Sequence, residues 1–433
     1  MQFIFNNYHQ NTKHSYLSIR TNPNRVNWDN PPNRFKFYPQ EYKRINLSSQ
    51  NENYNFLYMI AGISAKKTYP NMEYYLRVNP SAGALYPNEI YFQVRNSDGF
   101  KDGIYHFEVG SSSVVLLKEL KKDEGIEDLL EISYLVDGFI FFISSIYFRS
   151  SWKYKNRAFR YCLLDAGHII GSMEASSYLY DKDFEVLYDF PKIKLNEFFG
   201  FDEKEFFTSI VIAGNKKEGK TNIFEFKIPT LDGASYIEEN ISFFEKNEMV
   251  ENAYKDSLKI VDKKEQENCA IFSFQKERFK DIIFKRRSIR EFDKQFISKL
   301  QFESIMSVVN QAIKSDCDEQ VDIFYTVNRV EGLVLGLYKN GNLIKSGDFS
   351  EKAGYLCLEQ DLGKSSAVTF FLTTKSKNYQ ESYQKAGIIG HRLYLASNYL
   401  GIGCSGIGAY YDDEVCEFIE ESAMVLYALA IGN

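Results

Sequence analysis

Residues 157–180, RAFRYCLLDAGHIIGSMEASSYLY, place Phe159, Cys162, Leu163, Ala166, Ile169, Ile170 and Met173 at helical spacing. The closing motif ASSYL (175–179) returns as ASNYL at 396–400, and IVIAGN (210–215) returns as ALAIGN (428–433) at nearly the same offset. GIYHFEVGSSSVVLLKE (103–119) and GLVLGLYKNGNLIKSG (332–347) both read as hairpins led by a glycine. Each half therefore runs helix, strand, hairpin, helix, buried strand, long helix, final strand. Such echoes identify a duplication. Helices interleaved with mostly antiparallel strands make the class α+β. His168, on the apolar helix, reads as a hydrogen-bonded structural residue rather than a ligand.

Working outward, the first repeat is expected over 51–215 and the second over 278–433. Residues 1–50, rich in Asn and Pro, read as an N-terminal extension. Residues 216–277 are charged and irregular, too long for a loop inside a domain, and read as a linker with helical segments. The apolar stretch from Tyr134 to Phe148 is interrupted by Asp137. It is shorter than the ~20 residues a spanning helix needs, so it reads as a buried strand.

The chain has 433 residues, 44% hydrophobic and 25% charged, enough for a large core. A net charge of −6 provides no basic field for nucleic acid or an anionic membrane. Six scattered cysteines, without a C-x-x-C pair, and five dispersed histidines argue against a metal site and against a disulfide framework. With no signal architecture at MQFIFNNYHQ, the expected compartment is the cytoplasm.

Two short stretches carry candidate chemistry. NPSAGALYPNEIYF (79–92) is a turn of small residues followed by a strand. Gly83 and its alanine neighbours would let a flat ligand approach the peptide N–H groups, and Ser81 could cap a helix start while offering its hydroxyl. The competing reading is an ordinary capped turn before a strand. FKRRSIREF (284–292) sets Arg286 and Arg290 four apart, on one side of a helical turn, with Ser288 beside them. Two guanidinium forks and a hydroxyl suit a phosphate monoester. The competing reading is a solvated basic face.

RRSIREF resembles the opening phosphate-binding motif of the nitroreductase superfamily. PSAGALYPNEIY followed by GIYHFE resembles its SagB-type branch, the peptide azoline dehydrogenases, in the long tandem form. WKYKNRAFRYCLLDAGHIIG (152–171) is similar to that branch's Lys-Tyr segment and the helix after it. YHQNTKHS (8–15) and NWDNPPNRFKFYP (27–39) are similar to its N-terminal extension. The resemblance implies a tandem nitroreductase-like fold forming an intramolecular pseudo-dimer, as a monomer or a homodimer of it. It implies one flavin mononucleotide (FMN) per chain.

In that reading Arg286, Ser288 and Arg290 hold the phosphate, while Pro80, Ser81, Ala82, Gly83 and Leu85 from the first half line the ring. Gly406, Ile407 and Gly408, with Gln360, complete the cofactor set. Lys153 and Tyr154 are the expected catalytic pair, removing and relaying a ring proton, with Arg157 and Arg160 nearby to depress the lysine. The substrate would be a small molecule or a modified peptide, with dioxygen or a nicotinamide as redox partner. The alternatives are a general nitro or quinone reductase using a reduced nicotinamide, and a flavin-free scaffold in a peptide-modifying complex.

Overall fold

Strands form where Phe, Ile, Val and Tyr run together, because branched and aromatic side chains pack well on a pleated surface. A computed structural model describes residues 7–22, 26–28, 31–48, 50–69, 72–222, 224, 244–261 and 263–433. The chain divides into two compact units. One comprises residues 26–269 and 313–318, and the other residues 1–25, 270–312 and 319–433.

The unit built on the first repeat contains β1 (Arg44–Asn46), β2 (Ile63–Tyr69), β3 (Met72–Arg77), β4 (Asn88–Arg95), β5 (Gly103–Glu108), β6 (Ser113–Glu119), β7 (Leu135–Ile146), β8 (Glu185–Leu187) and β9 (Glu205–Lys217). Among the described residues, seven of them form an antiparallel sheet in the order β1-β6-β5-β4-β7-β9-β8, and β2 pairs with β3. Every residue of β4 is buried. Its alternate side chains serve two faces. Phe92 packs with Phe139 and Phe141 on one face, beside Phe56 of the helix Glu52–Ala61. Tyr91 joins Phe142, Phe199 and Phe207 on the other.

The second unit contains β10 (Asp322–Val327), β11 (Gly336–Lys339), β12 (Asn342–Ser346), β13 (Val368–Thr374), β14 (Gly403–Ile407) and β15 (Met424–Gly432). They form a six-stranded sheet in the order β12-β11-β10-β13-β15-β14. Strand for strand this matches β6-β5-β4-β7-β9-β8, so the duplication read from the echoes is present as a repeated topology. β1 is an addition at the outer edge of the first sheet.

Each repeat has its long helix, Ala158–Leu179 in the first and Tyr379–Tyr399 in the second. The spacing in 157–180 predicts an apolar stripe. The helix is instead buried on all sides, every residue but Tyr178 being covered, Asp165, His168 and Glu174 included. Tyr134–Phe148 is the strand expected, as β7. Within the stretch read as a linker, Glu248–Asp256 is a helix capped by the Asn247 side chain, while 225–243 lie outside the described residues. No helix among the described residues is long and apolar enough to cross a membrane.

Candidate functional site

The turn at 80–87 joins β3 to β4 and holds three departures from ordinary backbone within four residues. Gly83, Ala84 and Tyr86 have φ of 63°, 52° and 48°. Glycine adopts this region freely, whereas for Ala and Tyr each such residue costs ~1–2 kcal/mol. The turn is held from several sides. The Tyr86 hydroxyl accepts the Arg77 N–H (3.0 Å), and the Tyr86 carbonyl accepts from Arg149 Nη1 (2.9 Å). Arg149 also pairs with Glu89 (2.6 Å), which meets His106 (2.8 Å). Burial pushes the Glu89 carboxyl up, but Arg149, His106 and Arg77 outweigh it and hold Glu89 at about 2.

Ser81 does not cap the short helical turn Ala82–Ala84, as its position suggests. Its Oγ accepts the Tyr86 N–H at 2.9 Å and donates to Asp165 Oδ2 at 2.5 Å, while Asp165 Oδ1 accepts the Ala82 N–H at 3.1 Å. Asp165 lies on the long helix and is absent from the residues read from sequence. The visible signal is its charge within the apolar run CLLDAGHII. Burial raises its carboxyl to about 7, against the opposing effect of the Ser81 and Ala82 bonds.

Lys153 and Tyr154 end the helix Phe148–Tyr154, which Lys155 terminates with φ 47°. They stand against the turn. A Cβ on Gly83 would lie 2.8 Å from the Tyr154 hydroxyl and 3.2 Å from Lys153 Nζ. The Tyr154 hydroxyl and the Lys153 amine therefore lie against the turn at Gly83, whose positive φ also favours glycine. Burial, then Tyr161 and Asp165, push the Tyr154 hydroxyl well above its ordinary range. Tyr154 packs against Tyr161 with the rings tilted and centroids 4.1 Å apart. Lys153 Nζ sits 5.9 Å from the ring of exposed Trp28, which meets Trp152 edge-on at 5.3 Å. Arg157 and Arg160 are buried. Pro80 is half-buried, Leu85 is a core residue, and Gly83 is exposed.

In the second unit the RRSIR stretch is not helical. The helix Lys276–Lys285 stops at Arg286, whose ψ of 130° is extended. The chain then runs beside β14, Ile289 donating its N–H to Cys404 O at 3.2 Å. The helical turn expected to align Arg286 and Arg290 is therefore absent. Their surroundings differ: Arg286 is buried and Arg290 exposed.

Tyr394, on the long helix, ties this stretch to the glycine strand. Its hydroxyl meets Ser288 Oγ at 2.8 Å and accepts the Gly406 N–H at 2.6 Å, and the Arg286 guanidinium lies 5.1 Å from its ring centre. Burial and Cys404 raise the Tyr394 hydroxyl against Arg286, Ser288 and Gly406. Sequence reading missed this tyrosine.

The glycine at 406 has a local cause, since a Cβ there would fall 2.0 Å from the Tyr427 hydroxyl. Ile407 turns its side chain into the core with Phe292 and Tyr410. Gly408, half-buried, follows the strand end. Gln360 precedes the short helix Asp361–Ser365 and accepts the Gly363 N–H, and no described hydrogen bond joins it to Arg286, Ser288 or Gly406. Among the described residues no His, Cys, Asp and Glu group could hold a metal, and none of the six cysteines forms a disulfide.

Residues 283–433 match the model of the nitroreductase family. A curated relative, "Putative nitroreductase MJ1384" of Methanocaldococcus jannaschii, is 32% identical over 92 residues, covering 21% of this chain and 46% of that protein. The chain therefore spans about half the length of that relative. A solved structure of the same description from Anabaena variabilis is 22% identical, covers 98% of both chains and superposes with a TM-score of 0.78. Residues 283–433 are thus similar in sequence to the nitroreductase family, and the fold of the chain is nitroreductase-like.

Proposed function

We propose that the chain is an FMN-dependent oxidoreductase of the SagB type, oxidising a thiazoline or oxazoline in a modified peptide to the aromatic azole. One observation carries the reading: Lys153 Nζ and the Tyr154 hydroxyl gather at the turn at Gly83. The residues suit the cofactor. A flat ring must approach the main chain, and Gly83, exposed and with φ 63°, permits it. A phosphate needs directed cationic donors, and Arg286 and Arg290 offer them. When bound, FMN supplies the hydride acceptor for this chemistry, with dioxygen as the terminal acceptor.

The chain's own residues do the rest. Lys153 takes the proton from the azoline carbon, a role that requires its neutral form. Tyr154 keeps its proton and orients the substrate by donating a hydrogen bond. Trp28 offers an exposed aromatic face beside Lys153 for a five-membered ring. The family match at 283–433 favours a second reading, a nitro or quinone reductase using a reduced nicotinamide.

Lys153→Ala tests the proposal. Azoline oxidation should fall by roughly 10²–10⁴, the usual weight of a general base, with the flavin spectrum intact. Wild-type turnover would dismiss Lys153. Nicotinamide-driven quinone reduction without azoline turnover in the wild type would favour the second reading.

A further inference from the structure

We infer that Asp165 is a positioning residue, a buried clamp that holds the Ser81–Tyr86 turn in its strained shape and thereby keeps Gly83 presented beside Lys153 and Tyr154. The inference deepens the flavin reading and rests on it only for the identity of the ligand.

Two facts about the molecule call for such a clamp. Ala84 and Tyr86 both adopt left-handed backbone within a three-residue span, and conformations of that kind persist only where the surroundings over-determine them. Asp165 is 3% exposed, and burial is the largest influence on its carboxyl. A buried carboxyl is costly unless hydrogen bonds compensate it.

The two oxygens of Asp165 make those bonds. Oδ1 takes the Ala82 N–H and Oδ2 takes the Ser81 hydroxyl. That hydroxyl in turn receives the Tyr86 N–H, so one carboxyl reaches both ends of the strained span. The clamp comes from the long helix, 84 residues away in sequence from Ser81, so it couples the turn to a helix buried on all sides. The charged and titratable groups facing Asp165 are Tyr154 from the preceding helix, Cys162 one turn before it, and Arg77 from β3.

The sign of the pH effect follows from burial. The folded carboxyl titrates at about 7 and the unfolded one near ~4, so the unfolded chain gives up its proton first. Folding is therefore penalised increasingly as pH rises from about 4 to about 7, and the penalty is absent below that window.

The test uses the full chain with Asp165→Ala, Asp165→Asn and Ser81→Ala. Amide hydrogen exchange at Ala82–Tyr86 and FMN affinity are measured, with melting temperature followed between pH 4 and pH 8. Asn can accept from Ala82 with Oδ1 and donate to Ser81 with its amide, so Asp165→Asn should keep wild-type exchange at the turn. Its melting temperature should rise relative to wild type as pH increases through the window. Asp165→Ala should speed exchange at Ala82 and Tyr86 at least tenfold and weaken FMN at least tenfold, with Ser81→Ala intermediate. If Asp165→Ala does not fold, Ser81→Ala carries the exchange measurement. Wild-type exchange at the turn in both Asp165→Ala and Ser81→Ala, or in Ser81→Ala alone where the former is unfolded, would overturn the clamp. A wild-type chain that binds no FMN would sink the flavin reading, while the exchange result would still decide the clamp.

Discussion

The two repeats share a strand order but have put the segment before their first central strand to opposite uses. Before β4 the chain makes the Pro80–Pro87 turn, strained and open at Gly83. Before β10 it runs through NQAIKSDCDEQ, of which residues 313–318 belong to the unit of the first repeat. There Asp316 accepts the N–H groups of Tyr188 and Asp189 at 2.8 and 2.9 Å, and Ser315 bridges to Val186 and to Gln266. Both segments centre on a buried carboxylate that accepts backbone amides. In the first repeat that carboxylate, Asp165, comes from outside and shapes a turn. In the second, Asp316 is part of the segment and straps it to strand β8.

The same division appears at the glycines. β14 reads GCSGI where the topologically equivalent β8 is only the three residues EVL. Duplication preserved the sheet, whose central strands bury nearly every side chain, while the connections diverged because their constraints are local. A position already committed to a strap has no amide left for a ligand. This is the physical content of the expectation that the chain holds one flavin site rather than two.

The comparison can be sharpened by substitution. The largest effect on the cofactor should come from Arg286→Ala. Loss of a charge-assisted bond from a buried guanidinium is worth ~1.5–3 kcal/mol, or about 10- to 150-fold in FMN affinity. Arg290 is exposed, so Arg290→Ala should cost less than tenfold and shrink further in high salt. Equal tolerance of both substitutions, read by flavin titration, would return the stretch to a solvated basic segment. A smaller effect, on stability alone, is expected of Asp316→Ala. It strands two amides and should cost roughly 1–3 kcal/mol by thermal unfolding, leaving FMN affinity unchanged. Weakened flavin binding in that variant would mean the second segment is not merely a strap.

Much of the fold could be read from the residues because its causes are short-range. Phe139–Phe142 and Phe206–Val211 are runs that only a buried strand accommodates, and ASSYL against ASNYL marks the helix ends directly. The site was legible only where a motif is contiguous. Gly83, Lys153 and Tyr154 were named from their neighbourhoods. The four-residue spacing of Arg286 and Arg290 fits a helix and an extended chain equally, and the helix stops one residue too early. Ser81 looked like a cap because its alternative partners, Tyr86 and Asp165, are set by the tertiary fold. Asp165, Tyr394 and Asp316 act on segments 84, 106 and about 128 residues away, where no periodicity reaches.

The central claim is one flavin site assembled from a duplicated fold in which a single turn remains open. Its most direct test is the flavin content of the full chain after reconstitution with FMN, measured by absorbance of the chromophore released on boiling against protein concentration. The account predicts one FMN per chain. Two per chain would show that the strapped repeat also binds, and none would contradict the flavin reading altogether.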